Sequence, residues 1–329
     1  METIESLFTR SGVLTHQLLH KLSQSGAILL NGAPVSVRSA VSSGDVVRLD
    51  GEEFSVNQVP ERDRLRVVPV SPKPARIGGL CRVHAGYHKC LTMYTRKVLD
   101  RVARVPFSPG GFRHFYHRAD VFYRYCGQYA FSSISGHRVD LDRFDDARVS
   151  RFIRDPRDLL VSGYFYHLRG AEDWCHITDP VDDDWDIVQG VVPAQLPRQQ
   201  SFSEYLNSVP IEQGLIAEIE FRKRHYASML DWPEEDDRVR LYRYEDIMGN
   251  EQQILSDLME FYQLPALQRK AGRYYARRYS ASRKSGRKGH IRNASSGQWK
   301  QYFSARVNRR FNEVYGDLLE RYAYPAVSL

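Results

Sequence analysis

Lysine, hydroxyl and backbone amide groups come together in residues 80–97, where a short apolar run leads through a turn into helical periodicity. Lys89 stands in the turn, and Thr92 follows it at the start of the helical pattern. The N–H groups at the start of a helix and the helix dipole attract an anion, and the lysine adds a full positive charge. The pattern therefore predicts an anion-binding turn between a strand and a helix. It does not fit the G-x-x-x-x-G-K-[ST] phosphate loop, because Lys89 is followed by Cys90.

A second basic residue stands at the start of another predicted helix. Arg154 precedes Asp155 and Pro156, a pair that is typical of the N-cap and the first position of a helix. Ser162 follows eight positions after Arg154, which places it two turns along that helix. The planar guanidinium of an arginine can make two hydrogen bonds to one phosphate, so this pair predicts a second anion contact.

Three further motifs follow along the chain: Tyr-Glu-Asp at 244–246, Arg-Lys-Gly at 287–289 and Gly-Gln-Trp-Lys at 297–300. In this order and at these distances, together with the two motifs above, they resemble the family of sulfotransferases that use 3′-phosphoadenosine 5′-phosphosulfate (PAPS). The resemblance covers about residues 76–329. Each motif is short, and their order along the chain carries the resemblance.

The resemblance implies a fold, a reaction and a set of donor contacts. The fold is α/β, with a P-loop-like parallel sheet flanked by helices. The reaction moves a sulfuryl group from PAPS to a hydroxyl or amine of a small-molecule or biosynthetic-intermediate acceptor and releases 3′-phosphoadenosine 5′-phosphate (PAP). No His/Cys cluster in the sequence has metal-ligand spacing, so metal-free chemistry is expected. The donor contacts implied by the matching motifs are His88, Cys90, Leu91, Thr92, Met93, Arg154, Ser162, Tyr244, Arg287, Lys288 and Gly289.

The resemblance also implies two catalytic roles. Lys89 is expected to stabilise the leaving phosphate, because negative charge builds there during sulfuryl transfer. Family members commonly place a histidine at the end of the second strand as general base, and His137 fits that place. The reference pKa of a histidine, about 6.5, suits proton abstraction close to neutral pH. His88, His114 and His117 are alternatives, and a glutamate base, as in some relatives, stays open.

Charge is distributed unevenly along the 329 residues. The net charge is +7, yet residues 261–312 contain 14 Lys and Arg and no Asp or Glu, so the rest of the chain sums to −7. This asymmetry indicates contact with a polyanion, and either a phosphate-bearing donor or RNA fits it.

Three features predict a cytoplasmic protein without a membrane span. No apolar run approaches the roughly 18–20 residues that cross a bilayer, and the acidic N-terminus lacks an apolar signal core. The four cysteines form no C-x-x-C pair, which is typical of a reduced compartment.

Residues 1–70 predict a small α+β domain of their own. Helical spacing of leucines is followed by Ser-Gly, a short apolar run, Asn31-Gly32 and a second turn before another apolar run. Residues 12–51 resemble the RNA-binding module that precedes many pseudouridine synthases, with the first helix of that module shortened or missing. RNA binding and a packing or assembly role are both open. Alternating prolines predict an extended linker at 71–75, before a sulfotransferase-like domain at 76–329.

The strands expected in the large domain place the candidate residues at one edge of the sheet. A helix is expected over 92–102, and strands are expected at 80–83, 129–134, 149–153 and 239–242. Open parallel sheets bind ligands at the carboxyl ends of their strands, which is where these motifs fall. The sequence adds three weak substrate-lining candidates: Phe112, Tyr116 and Trp174. Phe112 and Tyr116 lie in an aromatic segment. Trp174 lies in an acidic, tryptophan-bearing segment at 171–200, which is expected to be either a lid or a solvated insertion.

Two other classes of function remain open from the sequence. One is an RNA-directed protein that uses the N-terminal module and the basic region 261–312. The other is a nucleotide-dependent kinase on a related sheet, which the missing phosphate-loop pattern disfavours. The acceptor and the oligomeric state are left open.

Overall fold

The computed structural model describes residues 2–11, 13–14, 16–49, 52–58, 65–70, 76–105, 110–116, 118–136, 138–280 and 295–325. The chain divides into two compact units. The first contains Met1–Ile77 and Arg118–Tyr125, and the second contains Gly78–His117 and Cys126–Leu329. The linker predicted at 71–75 lies outside the described residues.

The first unit is built on a five-stranded antiparallel sheet. The sheet has the strand order β2-β1-β3-β4-β5. Its helices and strands are α1 (Ile4–Arg10), α2 (His16–Gln24), β1 (Ile28–Leu30), β2 (Ala33–Pro34), β3 (Val46–Leu49), β4 (Glu52–Gln58) and β5 (Leu65–Pro69). The helix α1 has seven residues and precedes α2. Thr3 caps the N-terminus of α1. On the apolar face of this helix, the ring of Phe8 packs edge-on against Phe54, with ring centroids 5.3 Å apart. The resemblance of this unit to an RNA-binding module stays a prediction.

The second unit contains the parallel sheet that the sequence predicted. Its strands are β6 (Ile77–Gly86), β7 (Phe112–His114), β8 (Phe131–Ser135), β9 (Phe144–Ile153) and β10 (Val239–Arg243). The strand order is β10-β9-β6-β8-β7, and β9 with β10, β6 with β8 and β7 with β8 pair in parallel. The α/β fold class is confirmed. The short strand β7 was not predicted, because three residues are too few for a periodic pattern.

Helices follow the strands of this unit and cover its sheet. They are α3 (Thr92–Ala103), α5 (Pro156–Leu168), α6 (Phe202–Ser208), α7 (Ile211–Phe221), α8 (Lys223–Leu230), α9 (Tyr244–Ile247), α10 (Glu251–Phe261), α11 (Ala266–Tyr279), α12 (Trp299–Tyr302) and α13 (Ala305–Arg321). The helix α4 (Ala119–Tyr125) belongs to the first unit. The buried faces of α3, α5, α7, α10 and α13 contribute to one apolar core. Within the part of the chain that the structure describes, no helix has both the length and the hydropathy needed to cross a bilayer.

The acidic segment 171–200 is anchored to this core by its tryptophans. Trp174 and Trp185 are buried, and their rings pack against Phe202 and Phe221 with centroids 5.1–6.3 Å apart. Several of its carboxylates have partners within the unit, among them Asp182 and Asp186, which pair with Arg224. The segment is therefore a packed part of the domain.

Candidate active site

The turn after β6 has the predicted strand–turn–helix form. The N–H of Cys90 donates to the carbonyl of Tyr87 at 2.9 Å, and the hydroxyl of Thr92 donates to the same carbonyl at 3.1 Å. Lys89 (φ 68°) and Leu91 (φ 57°) both adopt the left-handed backbone conformation, which side-chain-bearing residues rarely take. Such strain persists only where the surroundings hold it, and it is common at ligand-binding sites. The helix α3 begins at Thr92, so its unpaired first N–H groups lie beside the turn.

The ammonium of Lys89 lies in surroundings of excess positive charge. Its Nζ is 3.9 Å from the centroid of the Tyr166 ring. Burial first, and then the charge of Arg169, lower the pKa of Lys89 to about 8, while Glu172 acts in the opposite direction. Arg222 and Arg154 lower the pKa of Lys89 further. A site that disfavours its own lysine cation is suited to an anionic ligand.

Glu172 is held in place beside this lysine. It accepts a hydrogen bond from the hydroxyl of Tyr166 at 3.2 Å and another from the indole N–H of Trp174. The ring of Tyr166 therefore contacts the lysine ammonium while its hydroxyl binds the carboxylate. The sequence did not single out Tyr166 or Glu172, because an aromatic residue in a helix is usually read as core.

Arg154 directly follows β9 and forms the second cationic part of the site. Its guanidinium lies 4.3 Å from the ring centroid of Tyr244, and its Nη2 donates to the carbonyl of Ser295 at 3.1 Å. Its Nε is buried and has no hydrogen-bond partner among the residues that the structure describes. Asp158, 3.7 Å from Nη2, accepts hydrogen bonds from the N–H groups of Gly297 and Trp299. The Gly-x-Trp-Lys motif is thereby brought to Arg154, as its place in the motif order predicts.

The start of α5 forms as the sequence predicts. The carboxylate of Asp155 accepts the N–H of Arg157 at 2.9 Å, and Pro156 occupies the first helical position. Ser162 lies half-buried two turns along the same helix. Lys89, Arg154 and Tyr244 thus follow three neighbouring strands, β6, β9 and β10, at the carboxyl edge of the sheet.

The remaining turn residues are uncharged. Burial first, and then His167, lower the pKa of His88 well below its usual value, so its imidazole is neutral. The His88 ring stacks on His167 with centroids 5.7 Å apart. Burial raises the pKa of the Cys90 thiol, which is therefore protonated. Leu91 is half-buried, and the side chain of Met93 is exposed.

A fully buried polar network lies behind His88. Glu218 is bonded to Nδ1 of His167 at 2.8 Å and accepts the Nε of Arg222 at 2.8 Å. Nη1 of Arg222 is hydrogen-bonded to Nδ1 of His225 at 2.9 Å. The spacing of Glu218 and Arg222 is visible in the sequence, but an i,i+4 pair of opposite charge is usually a surface feature. The network was therefore not predicted.

Four of the predicted site residues lie outside the described residues: His137, Arg287, Lys288 and Gly289. The rival base His117 lies outside them as well. Gly136, which precedes His137 in the chain, donates its N–H to the carbonyl of Gly86 at 2.9 Å. The rival His114 is half-buried, with its Nδ1 bonded to the hydroxyl of Ser133 at 2.8 Å.

The three substrate-lining candidates lie in different surroundings. Phe112 begins β7, and Tyr116 lies just beyond its end with the ring edge-on to His114, 4.5 Å between centroids. The guanidinium of Arg96 lies 5.6 Å from the Tyr116 ring. Trp174 belongs to the buried aromatic cluster described above. Their role in acceptor binding stays a prediction.

Comparison with known proteins gives a family match and several similar structures. The model of the sulfotransferase domain matches residues 144–323. No curated protein sequence matches the chain. Among solved structures, the mouse sulfotransferase SULT7A1 complexed with PAP is 13% identical with a TM-score of 0.45, covering 73% of this chain and 85% of that chain. Retinol dehydratase with retinol and PAP is 15% identical with a TM-score of 0.39, covering 75% of this chain and 83% of that chain.

A second structure of retinol dehydratase, with androsterone and the inactive cofactor PAP, is also 15% identical, with a TM-score of 0.36 and coverage of 75% and 82%. The family match is the decisive finding, since it extends over more than half of the chain. It runs from β9, the strand that leads to Arg154, through Tyr244 to the end of α13. The chain belongs to the sulfotransferase domain family.

Proposed function

We propose that this sulfotransferase uses PAPS as donor and transfers its sulfuryl group to a hydroxyl or amine of a small-molecule or biosynthetic-intermediate acceptor. The observation that carries the proposal is the pairing of Lys89 with Arg154 at neighbouring strand ends. The charge of Arg154 contributes to the lowered pKa of Lys89, so the two cations share one electropositive site. PAPS carries phosphate groups at both ends of its ribose, and two separate cationic contacts suit it.

At the 5′ end, the residues of the turn hold and stabilise charge. Lys89 leaves the face of Tyr166 to contact the leaving phosphate, where its positive charge stabilises the transition state. Thr92 and the free N–H groups at the start of α3 bind the 5′-phosphate, as anions bind at helix N-termini. His88, Cys90, Leu91 and Met93 line the turn and contribute backbone groups.

At the 3′ end, Arg154 contributes the main contact. Its buried, unpartnered Nε marks a guanidinium whose hydrogen-bonding capacity is not used up by the described residues. Ser162 adds a hydroxyl, and residues 287–289 complete the 3′-phosphate contact. Tyr244, whose ring faces Arg154, lies near the adenine.

His137 is the proposed general base that takes the proton from the acceptor. Support comes from Gly136, because its hydrogen bond to Gly86 ties the backbone just before His137 to the strand that leads into the Lys89 turn. His88, although neutral, is stacked on His167 and is therefore less free to meet an acceptor. A cytoplasmic location is part of the proposal, since the four cysteines are free and buried.

Calorimetric titration with PAP, with ADP as the control ligand, tests the donor. Binding of PAP in the micromolar range or tighter without magnesium, with ADP much weaker, supports the proposal. Lys89→Met and Arg154→Gln should each weaken PAP binding, while Lys97→Met, an exposed lysine on α3, should not. Equal binding of PAP and ADP would refute PAPS as donor and favour the RNA-binding alternative. A preference for ADP together with a requirement for magnesium would favour the kinase alternative.

A further inference from the structure

The outward face of α11 carries four exposed basic side chains. Its buried positions, Gln268, Gly272 and Ala276, recur every four residues and define the inner face of the helix. The exposed cations lie on the opposite side, with Lys270, Arg273 and Arg277 at spacings of three and four and Arg278 next to Arg277. The helix contains no Asp or Glu to neutralise them. Residues at these spacings are neighbours on a helix surface, so their charges act together.

The helix α3 extends this surface. The hydroxyl of Tyr94 donates to the carbonyl of Ala276 at 3.1 Å, and the hydrogen bond from Arg101 to Tyr279 raises the pKa of Arg101, so the two helices lie side by side. Lys97 and Arg101 are exposed and one turn apart on α3. We call the surface formed by Lys97, Arg101, Lys270, Arg273, Arg277 and Arg278 the basic face.

Large apolar side chains are exposed on the same two helices. Met93 is 53% exposed, Leu267 is 55% exposed and Tyr274 is 58% exposed. The inner sides of the helices are already packed on the core, through Val98, Leu99 and Ala276 among others. A fully polar polyanion makes no use of apolar groups exposed among these cations, and aliphatic side chains such as Leu267 cannot stack on a nucleobase as an aromatic ring does. They suit a partner that is anionic at its surface and apolar beneath.

We propose that the basic face docks the protein onto the surface of a bilayer that contains anionic phospholipids. The lysines and arginines attract the headgroups, and Leu267 and Tyr274 enter the boundary between headgroups and acyl chains. The proposal goes beyond sulfuryl transfer and does not depend on the donor. None of the six cations belongs to the proposed donor site, so binding to membranes and binding to PAP can be tested separately.

The test is flotation of the full-length protein with phosphatidylcholine vesicles, with and without phosphatidylserine. Binding should require phosphatidylserine and weaken with added salt. The triple variant Lys270→Gln/Arg273→Gln/Arg277→Gln should lower the partition coefficient on the order of 100-fold. The matched control Arg66→Gln/Arg306→Gln/Arg309→Gln removes three other exposed charges and should float like the unmodified protein. Unchanged PAP titration shows that each variant is folded.

The apolar contribution distinguishes a membrane from other polyanions. Leu267→Ser/Tyr274→Ser should weaken flotation on phosphatidylserine vesicles but leave binding to polyaspartate and to an RNA oligonucleotide unchanged. Three results would overturn the proposal. The first is flotation that does not depend on phosphatidylserine, and the second is an equal loss of flotation in the matched control. The third is tighter binding to RNA than to vesicles, with no effect of Leu267→Ser/Tyr274→Ser on flotation. The last result would identify the face as a nucleic-acid site.

Discussion

Gly163 in α5 is the position at which one added methyl group should do the most damage. A Cβ at this residue would overlap Nη2 of Arg222 and stand 2.5 Å from Oε1 of Glu218. Both side chains are fully buried, and Arg222 donates its Nε to Glu218 at 2.8 Å. The guanidinium has no solvent to move into, so Gly163→Ala has to displace it from its carboxylate.

The expected loss follows from two opposing terms. Separating a buried charge from its partner costs about 3–5 kcal/mol. Replacing a glycine by alanine in a helix recovers about 1 kcal/mol. The net effect is a destabilisation of about 2–4 kcal/mol, which lowers the melting temperature of a domain of this size by roughly 5–15 °C.

Gly316 in α13 provides the matched control. A Cβ at this glycine meets no atom within 4 Å. Thermal unfolding followed by circular dichroism should therefore show Gly316→Ala unchanged or slightly stabilised and Gly163→Ala strongly destabilised. Equal melting temperatures for the two variants would refute the reasoning, because they would mean that the Arg222–Glu218 pair can shift at no cost.

Three further predictions concern buried or cationic groups of the second unit. Burial lowers the pKa of His84 from 6.5 to about 3, so below pH 6.5 the unfolded chain binds a proton on this histidine that the folded protein does not, and stability falls. About 3 kcal/mol of the free energy of unfolding should be lost by pH 4. In urea unfolding, His84→Gln should lose less stability between pH 7 and pH 4 than the unmodified protein. The pKa of Lys89 is lowered from 10.5 to about 8, so burying its cation costs stability below pH 8, and this cost is relieved as pH rises to 10.5. At pH 7, Lys89→Met should therefore unfold at a higher urea concentration than the unmodified protein. The difference should be smaller at pH 10, and Lys97→Met should show no such gain. Arg154→Lys should lower PAP affinity about tenfold or more, because a lysine cannot make two parallel hydrogen bonds to one phosphate. The control Arg240→Lys on β10 should leave PAP affinity unchanged. Equal PAP affinities of the two variants in calorimetry would contradict the role of Arg154.

Local patterns in the sequence were sufficient where one short segment determines the structure. The turn at Lys89 and the helix start at Asp155-Pro156 depend on residues within a few positions of each other, and both form as predicted. The strand order β10-β9-β6-β8-β7 depends on pairings between distant segments, which no local pattern encodes. The strand β7 has only three residues and was missed for the same physical reason.

The buried charges of the site were beyond a sequence prediction. His167 and Glu218 are separated by 51 positions, and their contact exists only because α5 packs against α7. Charged residues are rarely fully buried, so Glu218 and Arg222 read as exposed positions of an amphipathic helix. The acidic composition of 171–200 suggested a lid or a solvated insertion, whereas the ring of Trp174 packs on Phe221 with centroids 5.1 Å apart.

These buried groups explain why stability and ligand binding should oppose each other here. Arg222 and Arg154 are buried, and both lower the pKa of Lys89, so the positive potential of the site comes from charges that are costly to fold around. Glu218, whose pKa is lowered by His167 and Arg222 despite its burial, offsets part of that charge. Glu172 acts on Lys89, and Asp158 lies 3.7 Å from Arg154, while an anionic donor adds further negative charge to the site. A substitution that relieves this charge stabilises the free protein and weakens the donor site at the same time, which is the pattern expected of a site selected for binding rather than for stability.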